Sequence, residues 1–214
     1  MELLSEEEQW ESLKRWLKTN GPSILVMVAL ALLAYFGWSW WQERQDQRAY
    51  AASDLYTKVL ADFDADQLDS ALAGVETLRS EYPKSVYVAA ADLAAARVYV
   101  GMDKLDKAVP FLERLVNSAD DKSLQTIARL RLARVQAAQE KYDQALTTLG
   151  TADMGSYQSA YLEARGDVLF AKGDRAGALK AYEEARKALA PESTGADGVG
   201  PLLDLKISDL KAAT

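Results

Sequence analysis

The stretch LEARGDVLFAKGDRAGALKAYEEA, residues 162–185, reads as two helices joined at the turn signal Lys172-Gly173-Asp174. A small residue stands on each side of that turn, Gly166 and Ala178, twelve positions apart. Upstream the same design recurs. Leu68-Asp69-Ser70-Ala71, Leu105-Asp106-Lys107-Ala108 and Tyr142-Asp143-Gln144-Ala145 open apolar-periodic stretches as Arg175-Ala176-Gly177-Ala178 does. Their alanines are spaced 37, 37 and 33 residues apart, and Ala96 and Ala133 stand twelve residues before Ala108 and Ala145.

This spacing is similar to the tetratricopeptide pattern, in which small residues let two antiparallel helices approach closely within a unit of about 34 residues. Leu162, Gly166, Ala178, Tyr182 and Ala185 keep the pattern in the last unit, with Pro191 one place late. The first unit keeps Ala71, Leu78 and Pro83 but has Val59 where a small residue belongs. In the middle units Arg129 and Leu149 occupy positions that are aromatic in the pattern. Pro83-Lys84-Ser85, Gly101-Met102-Asp103, Asn117-Ser118-Ala119-Asp120 and Gly150 to Gly155 punctuate the chain where helices should end. Pro110 falls in the first turns of its helix, where a missing N–H costs least. The expected pairs are 42–63 with 67–82, 85–101 with 104–117, 121–139 with 141–150, and 155–172 with 175–189. Residues 191–200 (PESTGADGVG) read as a flexible linker. Residues 201–214, carrying Leu202, Leu203, Leu205, Ile207 and Leu210, read as a helix that covers the last apolar face of the stack.

Further out lies GPSILVMVALALLAYFGWSWW, residues 21–41. From Ile24 to Trp41 there is no charge, and eighteen helical residues span about 27 Å, close to the hydrocarbon thickness of a bilayer. Ile24, Leu25, Val26, Met27, Leu30, Leu32 and Leu33 are expected to face lipid, with Trp38, Trp40 and Trp41 at the headgroup layer. A cleaved leader would begin with a basic region and end in small residues. This run follows five glutamates and ends in indoles, so it reads as a retained anchor. Residues 1–20 read as a cytoplasmic amphipathic helix along the membrane surface, with Trp10, Leu13, Trp16 and Leu17 on one face. Ser5 and Glu8 form a capping-box pattern, and Asn20-Gly21-Pro22 is expected to break the helix before the anchor. Beyond Trp41 nothing between Gln42 and Ala52 would stop the helix. Basic residues flanking the anchor favour a cytoplasmic N-terminus weakly, and translocation of a long domain after a first uncleaved anchor points the same way. The fold class is all-α: a single N-terminal transmembrane helix, then a tetratricopeptide-like α-solenoid of about four helix pairs (residues 42–190) with a C-terminal capping helix.

Composition narrows the function. The net charge is −7, and residues 42–214 hold 27 acids and 22 bases, which argues against nucleic-acid binding. No cysteine is available for a disulfide or a thiolate nucleophile. No histidine is available as general base or metal ligand. No nucleophile-elbow, phosphate-loop or zinc-ligand motif occurs, so no catalytic residue, metal, cofactor or small-molecule substrate is expected. Acid pairs such as Glu183-Glu184 and Asp120-Asp121 read as solvated surface and caps. Binding is the better class. Arg97 and Arg134 hold equivalent positions on first helices, with Leu93 and Leu130 four residues earlier. They could line a concave groove whose guanidinium groups hold a carboxylate or backbone of an extended polypeptide. Alternatively Arg134 pairs with Asp167, the matching position of the next unit, and Arg97 is solvated.

The chain as a whole resembles the YfgM-like family, the ancillary subunit of the SecYEG translocon. The likeness rests on EQWESLKRWLKTNGPSILV (8–26), GWSWW (37–41), LRLARVQAAQEKYDQALTTL (130–149), residues 162–185 and LLDLKISDL (202–210). LRLARVQ and RGDVLFAKGD are its specific parts. The resemblance implies a single-pass protein of the bacterial inner membrane with its repeat domain in the periplasm. It implies association with SecYEG and with the membrane-anchored periplasmic chaperone PpiD, and help in passing emerging chains to periplasmic chaperones. It carries over no catalytic residue. A scaffold for assembling another cell-envelope complex is the alternative that the same layout suits.

Overall fold

A computed structural model of the chain describes residues 6–118, 121–150, 154–189 and 199–212. Ser5 of the expected capping box, Ala119 and Asp120, residues 151–153, and the linker through residue 198 lie outside the described residues. Two units divide the chain, Met1–Ser53 and Asp54–Thr214.

The first helix, α1, runs over Glu6–Asp64. It passes through Asn20-Gly21-Pro22, so the break expected there does not occur. The polar residues that could have stopped it bond back to the helix instead. Thr19 Oγ1 donates to the Arg15 carbonyl at 3.0 Å and Asn20 Nδ2 to the Trp16 carbonyl at 3.0 Å. Pro22 removes a single i→i−4 bond, a loss an otherwise strong helical run tolerates. No stop occurs between Gln42 and Ala52, as the sequence led one to expect.

In the second unit the helices follow the repeat. They are α2 Leu68–Glu81, α3 Val86–Gly101, α4 Leu105–Ser118, α5 Lys122–Ala138, α6 Tyr142–Leu149, α7 Gln158–Lys172, α8 Arg175–Ala188 and α9 Val199–Ala212. A 3-10 turn, Gly155–Tyr157, precedes α7. The final helix begins inside the stretch read as linker, at Val199 instead of residue 201. N-caps set several starts. The Ser85 hydroxyl accepts from the Tyr87 N–H at 3.3 Å, Asp121 from Ser123 N–H at 2.7 Å, and Asp174 from Gly177 N–H at 2.8 Å.

The turn within each pair is the same object four times. Asp66, Asp103, Glu140 and Gly173 all have positive φ, from 56° to 93°. At each, the left-handed residue's N–H returns to the carbonyl three back, and the next N–H to the carbonyl five back. In the α3–α4 turn these bonds are Asp103 N to Val100 O at 3.0 Å and Lys104 N to Tyr99 O at 2.9 Å. This double bond satisfies carbonyls that a helix end leaves open. Its spacing, 37, 37 and 33 residues, is that of the small-residue signal. Only Gly173 announces the conformation by residue type; three acidic residues adopt it without that signal.

The core lies between consecutive helices. Ala96, Tyr99, Ala108, Leu112, Leu132 and Val135 form one cluster across α3, α4 and α5. Leu130, Ala133, Ala145, Leu149, Tyr161, Ala164 and Val168 form the next across α5, α6 and α7. The last joins Ala178, Tyr182 and Ala185 of α8 to Leu203 and Leu210 of α9. Thus each helix pair is closed by the first helix of the next, and α9 closes the last one.

Candidate interaction surface

The first helices carry a row of equivalent side chains, each just after or three before the small residue of its repeat. One row runs Arg97, Arg134, Asp167; the other runs Leu93, Leu130, Glu163. Both arginines are exposed, and among the described residues neither guanidinium has a hydrogen-bond or ion-pair partner. The leucines are placed differently. Leu93 is half-buried against the α3–α4–α5 cluster, and Leu130 is buried in the α5–α6–α7 cluster at 8% exposure. Of the four side chains read as groove residues, the two arginines are open to a partner and the leucines hold helices together.

Arg134 does not pair with Asp167. The Asp167 carboxylate is taken by α9 instead: Lys206 Nζ donates to its Oδ1 at 2.7 Å and to Glu163 Oε1 at 2.8 Å. The Tyr182 hydroxyl also donates to Asp167 Oδ1, at 2.8 Å, and the Lys206 ammonium lies 5.2 Å from the centre of the Tyr182 ring. Burial depresses the Lys206 pKa, but hydrogen bonds and charge from Asp167 and Glu163 outweigh it, and the net shift is upward. Burial, then the bond to Asp167, raises the Tyr182 hydroxyl well above its usual range. Arg186 with Asp204 at 2.8 Å and Lys211 with Glu183 at 2.7 Å fasten the rest of α9.

A second charged cluster was not read from the sequence. Asp92, in α3, is 1% exposed, and its Oδ1 accepts from Nε of Arg79 at 3.1 Å and from Nη2 of the same guanidinium. Arg114 Nη1 lies 3.8 Å from that oxygen, and Arg79 Nη1 reaches Glu76 at 2.9 Å. Burial raises the Asp92 carboxyl pKa, and the Arg79 and Arg114 charges counter only part of the rise. The signal was present: Asp92 is the one acid in the helix VYVAAADLAAARVYVG, beside alanines that pack fully. Its partners come from α2 and α4, which no local spacing reveals.

In the first unit, Leu25, Val26, Met27, Leu30, Leu32, Leu33, Trp38, Trp40 and Trp41 are all at least half exposed, and Ile24 is intermediate. Trp10, Leu13, Trp16 and Leu17 are exposed as well. By length and composition this helix suffices to cross a membrane, and none of its most apolar window is buried in the protein.

Comparison with known proteins agrees with this layout. A sequence profile of the family described as tetratricopeptide repeat-like domain matches residues 14–212. The ancillary SecYEG translocon subunit of Escherichia coli (strain K12) is 31% identical over 206 residues, covering 96% of this chain and 97% of that protein. The protein of the same description from Haemophilus influenzae is 29% identical over 86% of this chain and 90% of its own. That from Neisseria gonorrhoeae is 28% identical over 97% and 98%.

Proposed function

Since the chain belongs to the tetratricopeptide repeat-like family of ancillary SecYEG translocon subunits, a non-catalytic kind of interaction scaffold, we propose that it serves as a membrane-anchored subunit beside that translocon. The observation that carries this reading is the reach of the similarity. It covers 96% of this chain, so it includes the apolar segment as well as the repeats. An association that needs both a place in the membrane and a protein-binding domain uses all of that length.

On this reading Ile24 to Trp41 spans the bacterial inner membrane, the residues before it are cytoplasmic, and the repeat domain lies in the periplasm. The repeat domain then meets polypeptides emerging from the channel and helps pass them to periplasmic chaperones, with a PpiD-type chaperone as a further partner. The free guanidinium groups of Arg97 and Arg134 are the contacts for such chains.

The test is quantitative co-purification from mild detergent of the full-length protein against a version lacking residues 1–41. SecYEG should be recovered with the first and lost or sharply reduced with the second. Recovery of other envelope proteins in its place would favour an assembly scaffold for a different machine. Protease added from the periplasmic side should digest the repeat domain and spare the residues before Ile24; the reverse pattern would overturn the orientation.

A further inference from the structure

A cavity of about 220 Å³ opens where the first turns of α3, the end of α4 and the start of α5 meet. Its walls are largely apolar, with Pro83, Val88, Ala89, Leu115 and Leu124 among them, and Asp92 lines it together with Arg114. The carboxylate is half used. Oδ1 gathers the contacts from Arg79 and Arg114, whereas Oδ2 is buried and has no hydrogen-bond partner. A buried acceptor without a donor is costly, and such groups in native proteins are otherwise met by a partner or an ordered water.

The chemistry of the guest follows from charge and shape. Arg79, Arg114 and the cavity-lining Lys84 stand against Asp92, Glu76 and the cavity-lining Asp121, three cations against three anions, so the site does not call for a further charge. What Oδ2 lacks is a neutral donor. A cavity of about 150 Å³ already holds a benzene ring, so this one has room for a ring that carries an N–H or O–H. Aromatic side chains with such a tip present a large apolar body and one polar atom that needs a partner when buried. We propose that this cavity is a binding pocket for the tryptophan or tyrosine side chain of a polypeptide, with Asp92 Oδ2 accepting the indole N–H or phenol O–H at its base. Val86, 78% exposed and also lining the cavity, gives the flanking peptide an apolar contact at the edge. This inference rests on the reading of the repeat domain as a surface that meets polypeptides, and adds to it which side chain is taken and where.

The probes are the pentapeptides Gly-Ser-Trp-Ser-Gly, Gly-Ser-Tyr-Ser-Gly and Gly-Ser-Phe-Ser-Gly, titrated calorimetrically into the full-length protein in lipid nanodiscs. The tryptophan and tyrosine peptides should bind at least tenfold more tightly than the phenylalanine peptide, because they alone bring a donor to Oδ2, which a phenyl ring would leave as unpaired as before. Ala89→Leu fills the cavity and keeps every charged group; it should abolish the preference. Leu124→Trp, which fills it from α5 instead of α3, should do the same if Ala89→Leu misfolds. Equal affinity for all three peptides, undiminished binding in the filled variants, or an ordered water on Oδ2 that no peptide displaces would each overturn the pocket. SecYEG recovery with Ala89→Leu separates the two readings. Recovery at the wild-type level with lost peptide preference is the expected result, whereas absence of SecYEG from the wild-type preparation strikes the wider proposal and leaves the titration to judge the pocket.

Discussion

Four pairs of side chains set how closely the two helices of each repeat approach, and their sizes compensate. Across the twelve-residue spacing the first helix offers Val59, Ala96, Ala133 and Gly166; four residues past each alanine the second helix offers Val75, Leu112, Leu149 and Tyr182. The smaller the first member, the larger the second, as filling a fixed space requires. Val59, the departure from the pattern, is accommodated by a glycine on the other helix: a Cβ at Gly74 would come within 2.5 Å of Val59 Cγ2. The extreme pair is Gly166 with Tyr182, where an added methyl would overlap the ring, and the Tyr182–Asp167 hydrogen bond holds that ring in place. Gly166→Ala is therefore expected to destabilise by about 1–3 kcal/mol, read as a lower urea midpoint at unchanged slope. Combining it with Tyr182→Leu recreates the Ala96–Leu112 pairing, so the double variant should cost less than the sum of the singles. Additive costs would mean the two side chains do not share one space. The twelve-residue spacing was legible in the sequence; Gly74 was not, because its meaning depends on a bulky partner from another helix.

Elements were legible where local chemistry repeats and obscure where it does not. Helices α2 to α8 begin and end within about three residues of the expected limits, because small-residue spacing and turn residues recur at fixed offsets. The run of α1 through Pro22 went the other way, since a proline and a glycine are strong local stop signals that a long apolar helix overrides. For α9 the sequence showed an apolar helix, but its ionic attachment depends on acids 39 and 43 residues upstream of Lys206. That attachment can be measured. Lys206 is largely covered, and Lys206→Met leaves Glu163 and Asp167 without their cation, a loss of about 1–3 kcal/mol. A lysine whose pKa is raised on folding stabilises fully below its unfolded value and loses that contribution as pH rises through the folded one. The stability difference between wild type and Lys206→Met should hold from neutral pH to the ordinary lysine value of 10.5 and shrink above it. A difference that shrinks already between pH 7 and 9 would assign it to another group.

At the scale of the whole molecule, the chain sets its free cations against its overall charge. It carries a net −7, yet α5 holds Lys122, Arg129, Arg131 and Arg134 and no acid. Lys206 neutralises the acids at the next equivalent positions, Glu163 and Asp167. The first helices of the middle repeats thus present cations to solvent in a protein that is otherwise acidic, an arrangement suited to drawing in carboxylates and carbonyls of a passing chain. Sequence spacing identified Arg97 and Arg134 as equivalent; only the structure shows that neither has a hydrogen-bond or ion-pair partner among the described residues while Leu93 and Leu130 serve packing. This separates binding from stability. Replacing both arginines by alanine removes no hydrogen bond or ion pair among the described residues, so stability should change only by the range of ordinary surface substitutions, about 0.5 kcal/mol each, with a correspondingly small shift in melting temperature. Capture of partners by the full-length protein should fall in the same variant, and should weaken in wild type as salt rises, since exposed charges are screened over about 10 Å at 0.1 M. Undiminished capture by the folded double variant would remove the two guanidinium groups from the binding surface, and a lowered melting temperature would show that they hold the stack together instead.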